Sequence, residues 1–292
     1  MIVAVLWILA ALSALATIFS VYLSNSAQAL AVTDAGLQTE ALVSASLELT
    51  TYQLLLAGDK ARPALGSFHF RLDNAEVRVS FTSEAARVDL NFASKEMLAN
   101  LFAVLGADQT VAKEAADRIV GWRTRPAADA ANDEEALYGA AGLTYLPRQS
   151  LFAHVNELSL VLGLPAELVD RALPFVTVFN GSSNVNVLVA APEVIAALPG
   201  MTPAALNDFL NQRPALSSDQ AAIAAALGPA RASAAIPKSK SFRILTTLRY
   251  DNGRRTTSEV VLALGEEKGK DPYQVLSWQD DVEARKPAGA RR

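Results

Sequence analysis

The first 23 residues constrain this chain more than any other stretch. From Met1 to Leu23 (MIVAVLWILAALSALATIFSVYL) apolar residues are interrupted only by Ser13, Thr17, Ser20 and Tyr22, and no charge appears before Asp34. About 20 apolar residues carry a helix across the hydrocarbon core of a bilayer, where each backbone polar group must be satisfied within the segment. A cleaved secretory signal is the alternative, and Ser24-Asn25-Ser26-Ala27 loosely resembles a cleavage site. Such a signal needs a basic start and an apolar core of only about 7–15 residues. Here no Lys or Arg precedes the core, and the core is longer. Helical spacing then continues through Leu30, Leu37, Val43, Leu47 and Leu54 to Leu56, before Gly58 breaks it. One long helix is predicted, with residues 1–24 in the membrane and the remainder outside.

Beyond the helix, residues 67–71, 76–81 and 86–90 read as short strands. Phe68 and Phe70 alternate with His69 and Arg71, Val77 and Val79 alternate with Arg78 and Ser80, and Asp73-Asn74 supplies a turn. Residues 94–236 are rich in alanine and leucine, with short helical patterns cut by Gly and Pro. Strand character returns at 241–250 and 256–264 around the hairpin signal Asp251-Asn252-Gly253, and again at 273–278. Neither strand set makes a credible sheet alone. The expected fold is therefore α+β: a long N-terminal helix on a small antiparallel sheet built from 25–93 and 237–280, with a large helical insertion at 94–236. The basic tail 281–292 is expected to be disordered.

The insertion contains a repeat. VDLNFASKEML, starting at Val88, aligns without gaps on VNVLVAAPEVI, starting at Val185. Each copy reads as a short strand followed by a helix start, with Ser94 or Ala191 near the N-cap and Glu96 or Glu193 in the first turn. Each then runs into paired short helices. Leu198-Pro199-Gly200-Met201-Thr202 is a tight turn between two of them, and Leu162-Gly163-Leu164-Pro165 plays a similar part.

Chemistry-bearing motifs are sparse. With no cysteine, disulfides, thiol catalysis and cysteine zinc sites are excluded. His69 and His154 are the two histidines, and both read as solvated positions beside a strand and a helix start. Phosphate loops, dinucleotide fingerprints and serine-nucleophile elbows are absent, so the chain is expected not to be an enzyme. Asp129, Asn132, Asp133, Glu134 and Glu135 make a loop dense in oxygen ligands, which could supply part of a calcium site or be a solvated acidic loop. The helix-turn-helix pairs also fit a membrane-anchored helix-hairpin-helix receptor for DNA. Residues 88–236 carry nine Lys/Arg against fifteen Asp/Glu, however, and binding to phosphates needs the opposite balance. No nucleic-acid partner is expected.

Taken in order, several segments resemble the K-type minor pseudopilins of the type II secretion system, also called general secretion pathway protein K. They are VDLNFASKEML, Asp133-Glu134-Glu135 with Tyr138, Tyr145-Leu146-Pro147-Arg148, Val155-Asn156-Glu157-Leu158, Leu173-Pro174-Phe175-Val176-Thr177-Val178 and VNVLVAAPEVIAALPG. The resemblance implies a pilin-like fold and a role at the tip of the pseudopilus, with I-, J- and H-type minor pseudopilins and the inner-membrane secretion platform as partners. It implies a single-pass protein of the bacterial inner membrane, its C-terminal domain in the periplasm, supporting protein export across the outer membrane. It also implies processing by prepilin peptidase, with Met1 as a mature, methylated N-terminus and Val5 where most pseudopilins carry glutamate. Calcium at Asp129, Asp133, Glu134 and Glu135 is implied as well. Two positions depart from the family pattern: Leu188 replaces a usual asparagine, and Gly121-Trp122-Arg123 replaces a tryptophan followed by acidic residues. The second departure weakens the carry-over of calcium.

Overall fold

The computed structural model describes residues 2–126, 133–216, 218–233, 235–236, 239–265, 271–280 and 282; for residues 27–33, 59–60 and 133 the backbone alone is described. Met1, Asp129 and, apart from Val282, the tail 281–292 lie outside the described residues. Helix α1 (Ile2–Leu56) is followed by a single turn, α2 (Gly58–Ala61), then β1 (Leu65–Leu72) and β2 (Ala75–Ser83). The insertion holds β3 (Val88–Asp89), α3 (Lys95–Val104), α4 (Gln109–Arg123), α5 (Asp133–Ala140), α6 (Ala166–Ala172), β4 (Val176–Thr177), α7 (Pro192–Ala196), α8 (Pro203–Gln212) and α9 (Gln220–Leu227). Strands β5 (Ser241–Tyr250), β6 (Arg255–Leu264) and β7 (Tyr273–Gln279) close the fold.

At about 1.5 Å per residue, α1 is some 80 Å long. Apolar residues and alanine surround it on every side, and its buried hydroxyls bond back into the helix. Ser46 donates to Leu42 O at 2.8 Å and Thr50 to Ser46 O at 2.7 Å. Back-bonding of this kind lets small polar groups lie under a sheet without orphaned donors. The helix stops where Gly58 adopts φ +66°, a left-handed conformation that favours glycine.

Leu42, Val43, Leu47 and Leu54 pack onto Val77, Val79, Phe81, Ile244, Leu248, Val260 and Leu262 of an antiparallel sheet ordered β1-β2-β5-β6-β7. The expected α+β class, with a long helix laid on a small antiparallel sheet, is therefore the observed one. Because β2 pairs directly with β5, the intervening 84–240 is an insertion at one end of the sheet. Opposite that end, the turns at Asp73-Asn74 and Asp251–Gly253 grip α1. Gln38 Nε2 donates to Asn74 Oδ1 at 2.7 Å, and Arg254 stacks on Tyr250 while donating to Ala35 O and Thr39 Oγ1.

Three expectations need correction. Residues 86–90 do not extend the main sheet. Ser83 caps a short 3-10 turn at Glu84–Ala86, and β3 pairs in parallel with β4 inside the insertion. Consequently Val88, Leu90 and Ala93 belong to the core of the helical block, so the insertion begins near Glu84 rather than Ser94. Residues 185–187, read as the second copy's strand, run alongside Ala85 and share one bond with it, Asn186 N to Ala85 O at 2.7 Å. They are not a strand.

What the repeat encodes is a turn. Asp89 Oδ1 accepts from Asn91 N at 2.8 Å, and its carbonyl accepts from Phe92 N and Ala93 N. Asn186 repeats the pattern: its Oδ1 accepts from Leu188 N at 3.1 Å, and its carbonyl from Val189 N and Ala190 N. An arginine at the end of the following helix pair then closes each unit. Arg123 donates to Ala93 O at 2.7 Å and also to Leu90 O, and Arg213 donates to Ala190 O at 2.8 Å. Ala93 and Ala190 are aligned positions of the two copies.

Candidate assembly surface

Helix α1 has two apolar faces, and the sheet covers one. Leu42, Val43, Ser46, Leu47, Thr50, Thr51 and Leu54 are buried. At the opposite spacing, Leu37, Ala41, Leu49, Tyr52 and Leu56 are exposed, with Ala45 half-buried between them. Residues 37, 41, 45, 49, 52 and 56 recur every three to four positions and so form one stripe along the helix, interrupted by Glu48, which accepts from the Tyr273 hydroxyl at 3.0 Å. That stripe lies outside the candidate membrane span, Ile2–Ser26, in which residues 2–25, Val5 included, are exposed. A membrane explains an apolar surface on Ile2–Ser26. It does not explain Tyr52 at 65% exposure, well beyond the span. Apolar faces this long on a helix outside lipid mark contacts with other protein.

At the other end, Glu84 fastens the insertion to the sheet. Its side chain is 1% exposed and accepts from Arg243 Nε at 2.8 Å and from the hydroxyl of Thr177, while Arg243 also pairs with Glu259. Arg87 approaches the same carboxylate at 3.9 Å. Burial is the largest single influence and pushes the Glu84 carboxyl up, but Arg243, Arg87 and Thr177 together outweigh it, and the group ends below the ordinary carboxylate range. The four elements this hub joins are far apart in sequence, and no local pattern announced it.

Residues between Tyr138 and Glu157 also gather into one cluster. Glu157 accepts from Trp122 Nε1 at 3.2 Å, from Ala153 N at 2.9 Å and from Arg148 at 3.1 Å. Trp122 stacks on Phe152 and leans on Tyr138, whose hydroxyl accepts from Leu162 N at 2.9 Å. Asn91 bonds both backbone groups of Phe152, which its counterpart Leu188 cannot do for any segment. These residues hold the loops between α5 and α6 against α4.

The acidic loop fares differently from its expectation. Glu134 Oε2 is paired with Arg118 at 2.6 Å, and Gly121 makes room for it, since a Cβ there would stand 2.6 Å from the carboxylate. Burial pushes Glu134 upward against the pull of Arg118. Arg118 occupies that oxygen, while the buried Oε1 of Glu134 has no hydrogen-bond partner among the described residues. Asp129 lies outside the described residues, as does the side chain of Asp133. Among the described residues, Glu135 joins no group of three acidic or histidine side chains that could hold a metal. His69 stands exposed on β1, and His154 caps a 3-10 turn through Nδ1, accepting from Asn156 N at 3.1 Å.

Both helix hairpins of the insertion turn on a left-handed glycine, Gly106 (φ +95°) and Gly200 (φ +79°). The amides that would face a phosphate are used by the chain itself. Asp108 Oδ1 takes Thr110 N and Val111 N, and Thr202 Oγ1 takes Ala205 N.

Residues 79–181 match the family model for protein K of the type II secretion system. The resemblance to the K-type minor pseudopilins holds. The match covers the second half of β2, Glu84 with Arg87 and Thr177 of its hub, the first turn-and-arginine unit and the Glu157 cluster. A chain of the GspK–GspI–GspJ complex from the enterotoxigenic Escherichia coli type 2 secretion system has the same fold. The TM-score is 0.61 at 14% identity, over 86% of this chain and 99% of that one. No curated protein matches the chain.

Proposed function

We propose that this chain is a non-enzymatic minor pseudopilin. Its α1 anchors it in the bacterial inner membrane with the remaining domains in the periplasm, and it assembles there with other minor pseudopilins to support protein export across the outer membrane. The observation that carries the reading is the second apolar stripe of α1, Leu37 to Leu56, which neither the sheet nor a membrane covers. Another subunit's long apolar helix is its natural complement, by the ridge-and-groove packing that buries such faces. The structural relative assembles with GspI and GspJ, and I- and J-type pseudopilins, with an H type, are the partners proposed here. Prepilin peptidase and the inner-membrane secretion platform complete the set.

With prepilin-peptidase processing proposed to expose Met1, Val5 favours the tip. The usual fifth-position glutamate can pair with the buried α-amine of a neighbouring subunit, and an unpaired charge there is costly. Val5 offers no such partner, and the block between Glu84 and Lys240 would obstruct a subunit stacked above. Co-expression with I- and J-type pseudopilins should yield a complex that Tyr52→Glu and Ala45→Glu disrupt without unfolding the chain. Recovery of the chain alone, or unaltered assembly of both variants, would overturn the reading. Calcium is proposed at residues 129–135 through Asp129, Asp133, Glu134 and Glu135, with Arg118 already holding one Glu134 oxygen. Chelation should then lower the melting temperature, and an identical melt with chelator would remove the proposal. Micromolar binding of duplex DNA at low salt would instead favour a DNA receptor.

A further inference from the structure

Strand β1 forms one edge of the sheet. Ser83 N donates to Ala64 O at 2.7 Å, directly across the β1–β2 register. In an antiparallel pair, hydrogen-bonded and open positions alternate. Gly66, Phe68, Phe70 and Leu72 therefore bond to β2, while Leu65, Ser67, His69 and Arg71 turn their N–H and C=O groups outward. Among the described residues no backbone group pairs with this side of β1. Proteins guard such edges with prolines, lysines, bulges or very short strands. The eight residues of β1, LGSFHFRL, include no proline or lysine and run in unbroken register with β2. The opposite edge differs, since β7 is broken by a bulge beside Val261 and Leu262.

The two faces beside this edge differ in chemistry. Toward α1, the rings of Phe68 and Phe70 stack at 6.3 Å and are only half-buried, and Leu72 is exposed. Away from α1, the register aligns Arg71, Glu76, Arg249 and Arg255 in one row across β1, β2, β5 and β6. Arg249 thus stands directly opposite Arg255, a like-charge pairing that is destabilising. In the next row His69 stands beside Arg78, and both line a shallow hollow of about 400 Å³ with Ser67, Ser80 and Thr247. Asp251 pairs with Arg71 and Glu76 with Arg78, so four arginines are set against two carboxylates. The whole chain carries a net charge of −4, so this basic face is a local feature.

We propose that an extended segment of a partner protein adds to β1 as a further strand, with acidic side chains beside His69 and Arg71 and apolar ones on Phe68 and Phe70. Side chains alternate between faces along a strand, so the segment is one of alternating acidic and apolar residues. Neighbouring strands lie about 4.8 Å apart, which lets a glutamate opposite His69 reach Arg78 across it. A second copy of β1 would bring the same His69 and Arg71 where the face calls for acids. The charged face points away from α1, so this contact and the packing of α1 are independent.

The test titrates the full chain, held in phosphatidylcholine nanodiscs, against a short labelled peptide of alternating valine and glutamate, read by fluorescence anisotropy. A peptide of alternating valine and lysine is the comparison. The glutamate peptide should bind about tenfold more tightly, and the preference should shrink when salt is raised to about 0.5 M. Methylating its backbone nitrogens on the side that meets β1 should abolish binding, because an added strand is held by main-chain hydrogen bonds. In the chain, His69→Pro removes an amide that β2 does not use, and should weaken binding about tenfold with the sheet intact. Arg71→Glu combined with Arg78→Glu should switch the preference to the lysine peptide. Equal binding of both peptides by the parent chain, or undiminished binding of the methylated one, would overturn the proposal. So would a dimer of the parent chain that His69→Pro dissolves, since the occupant would then be a second copy. Each of these failures leaves the α1 reading standing, which Tyr52→Glu and Ala45→Glu test separately.

Discussion

At Glu84 two opposed effects can be weighed against each other. A buried carboxylate is disfavoured, yet Arg243, Arg87 and Thr177 hold it ionised and below the ordinary range. A group with a depressed folded-state pKa contributes its stability above the unfolded value near pH 4 and loses it as pH falls through the folded one. Removing one partner of a buried pair typically costs about 3–5 kcal/mol, because the other charge is left behind. Arg243 keeps Glu259, so Glu84→Gln should cost about 3 kcal/mol at neutral pH, read as a lower melting temperature. The gap between variant and parent should hold from pH 7 to about pH 5 and narrow only as pH falls below about 4. A gap independent of pH would mean Glu84 acts through shape rather than charge. Arg123 and Arg213 offer a graded comparison. Hydrogen bonds to charged groups are worth about 1.5–3 kcal/mol each, and Arg123 makes two to carbonyls where Arg213 makes one. Arg123→Met should therefore destabilise more than Arg213→Met in chemical denaturation, and the reverse order would refute the clamp.

Elements differ in how far local sequence decided them. Helix α1, the β5–β6 hairpin and β7 follow from periodicity and turn residues, because their geometry is set by neighbours in sequence. Residues 86–90 alternate as well as any strand, yet the chain turns at Ser83. The partner of β3 is Val176–Thr177, some 90 residues away, and no local pattern encodes it. The second copy of the repeat misled for a related reason. The two copies share a side-chain-capped turn, Asp89 in one and Asn186 in the other, and the strand in the first copy exists because β4 happens to lie beside it. Likewise, Asp133-Glu134-Glu135 looked like one acidic loop until Arg118 and Gly121 of α4 proved to be built around Glu134. The hairpin glycines can be tested directly. Gly200 sits at φ +79° with Pro229 O 3.1 Å from an added Cβ, so Gly200→Ala should cost about 1–2 kcal/mol of stability. A neutral result would mean that this hairpin relaxes freely.

For the whole molecule, the central claim is that the outward stripe of α1 is where other pilin-like subunits dock. The cysteine-free chain allows one crosslinker at a time, in membranes and with the other minor pseudopilins present. Ala41, Ala45 and Tyr52 report the stripe, Val43 reports the face against the sheet, and Ser80 reports the opposite side of the sheet. The account predicts adducts to other pseudopilins from positions 41, 45 and 52, few from positions 43 and 80, and seldom a second copy of this chain. Equal yields from positions 52 and 80, or regular self-adducts along isolated filaments, would contradict it.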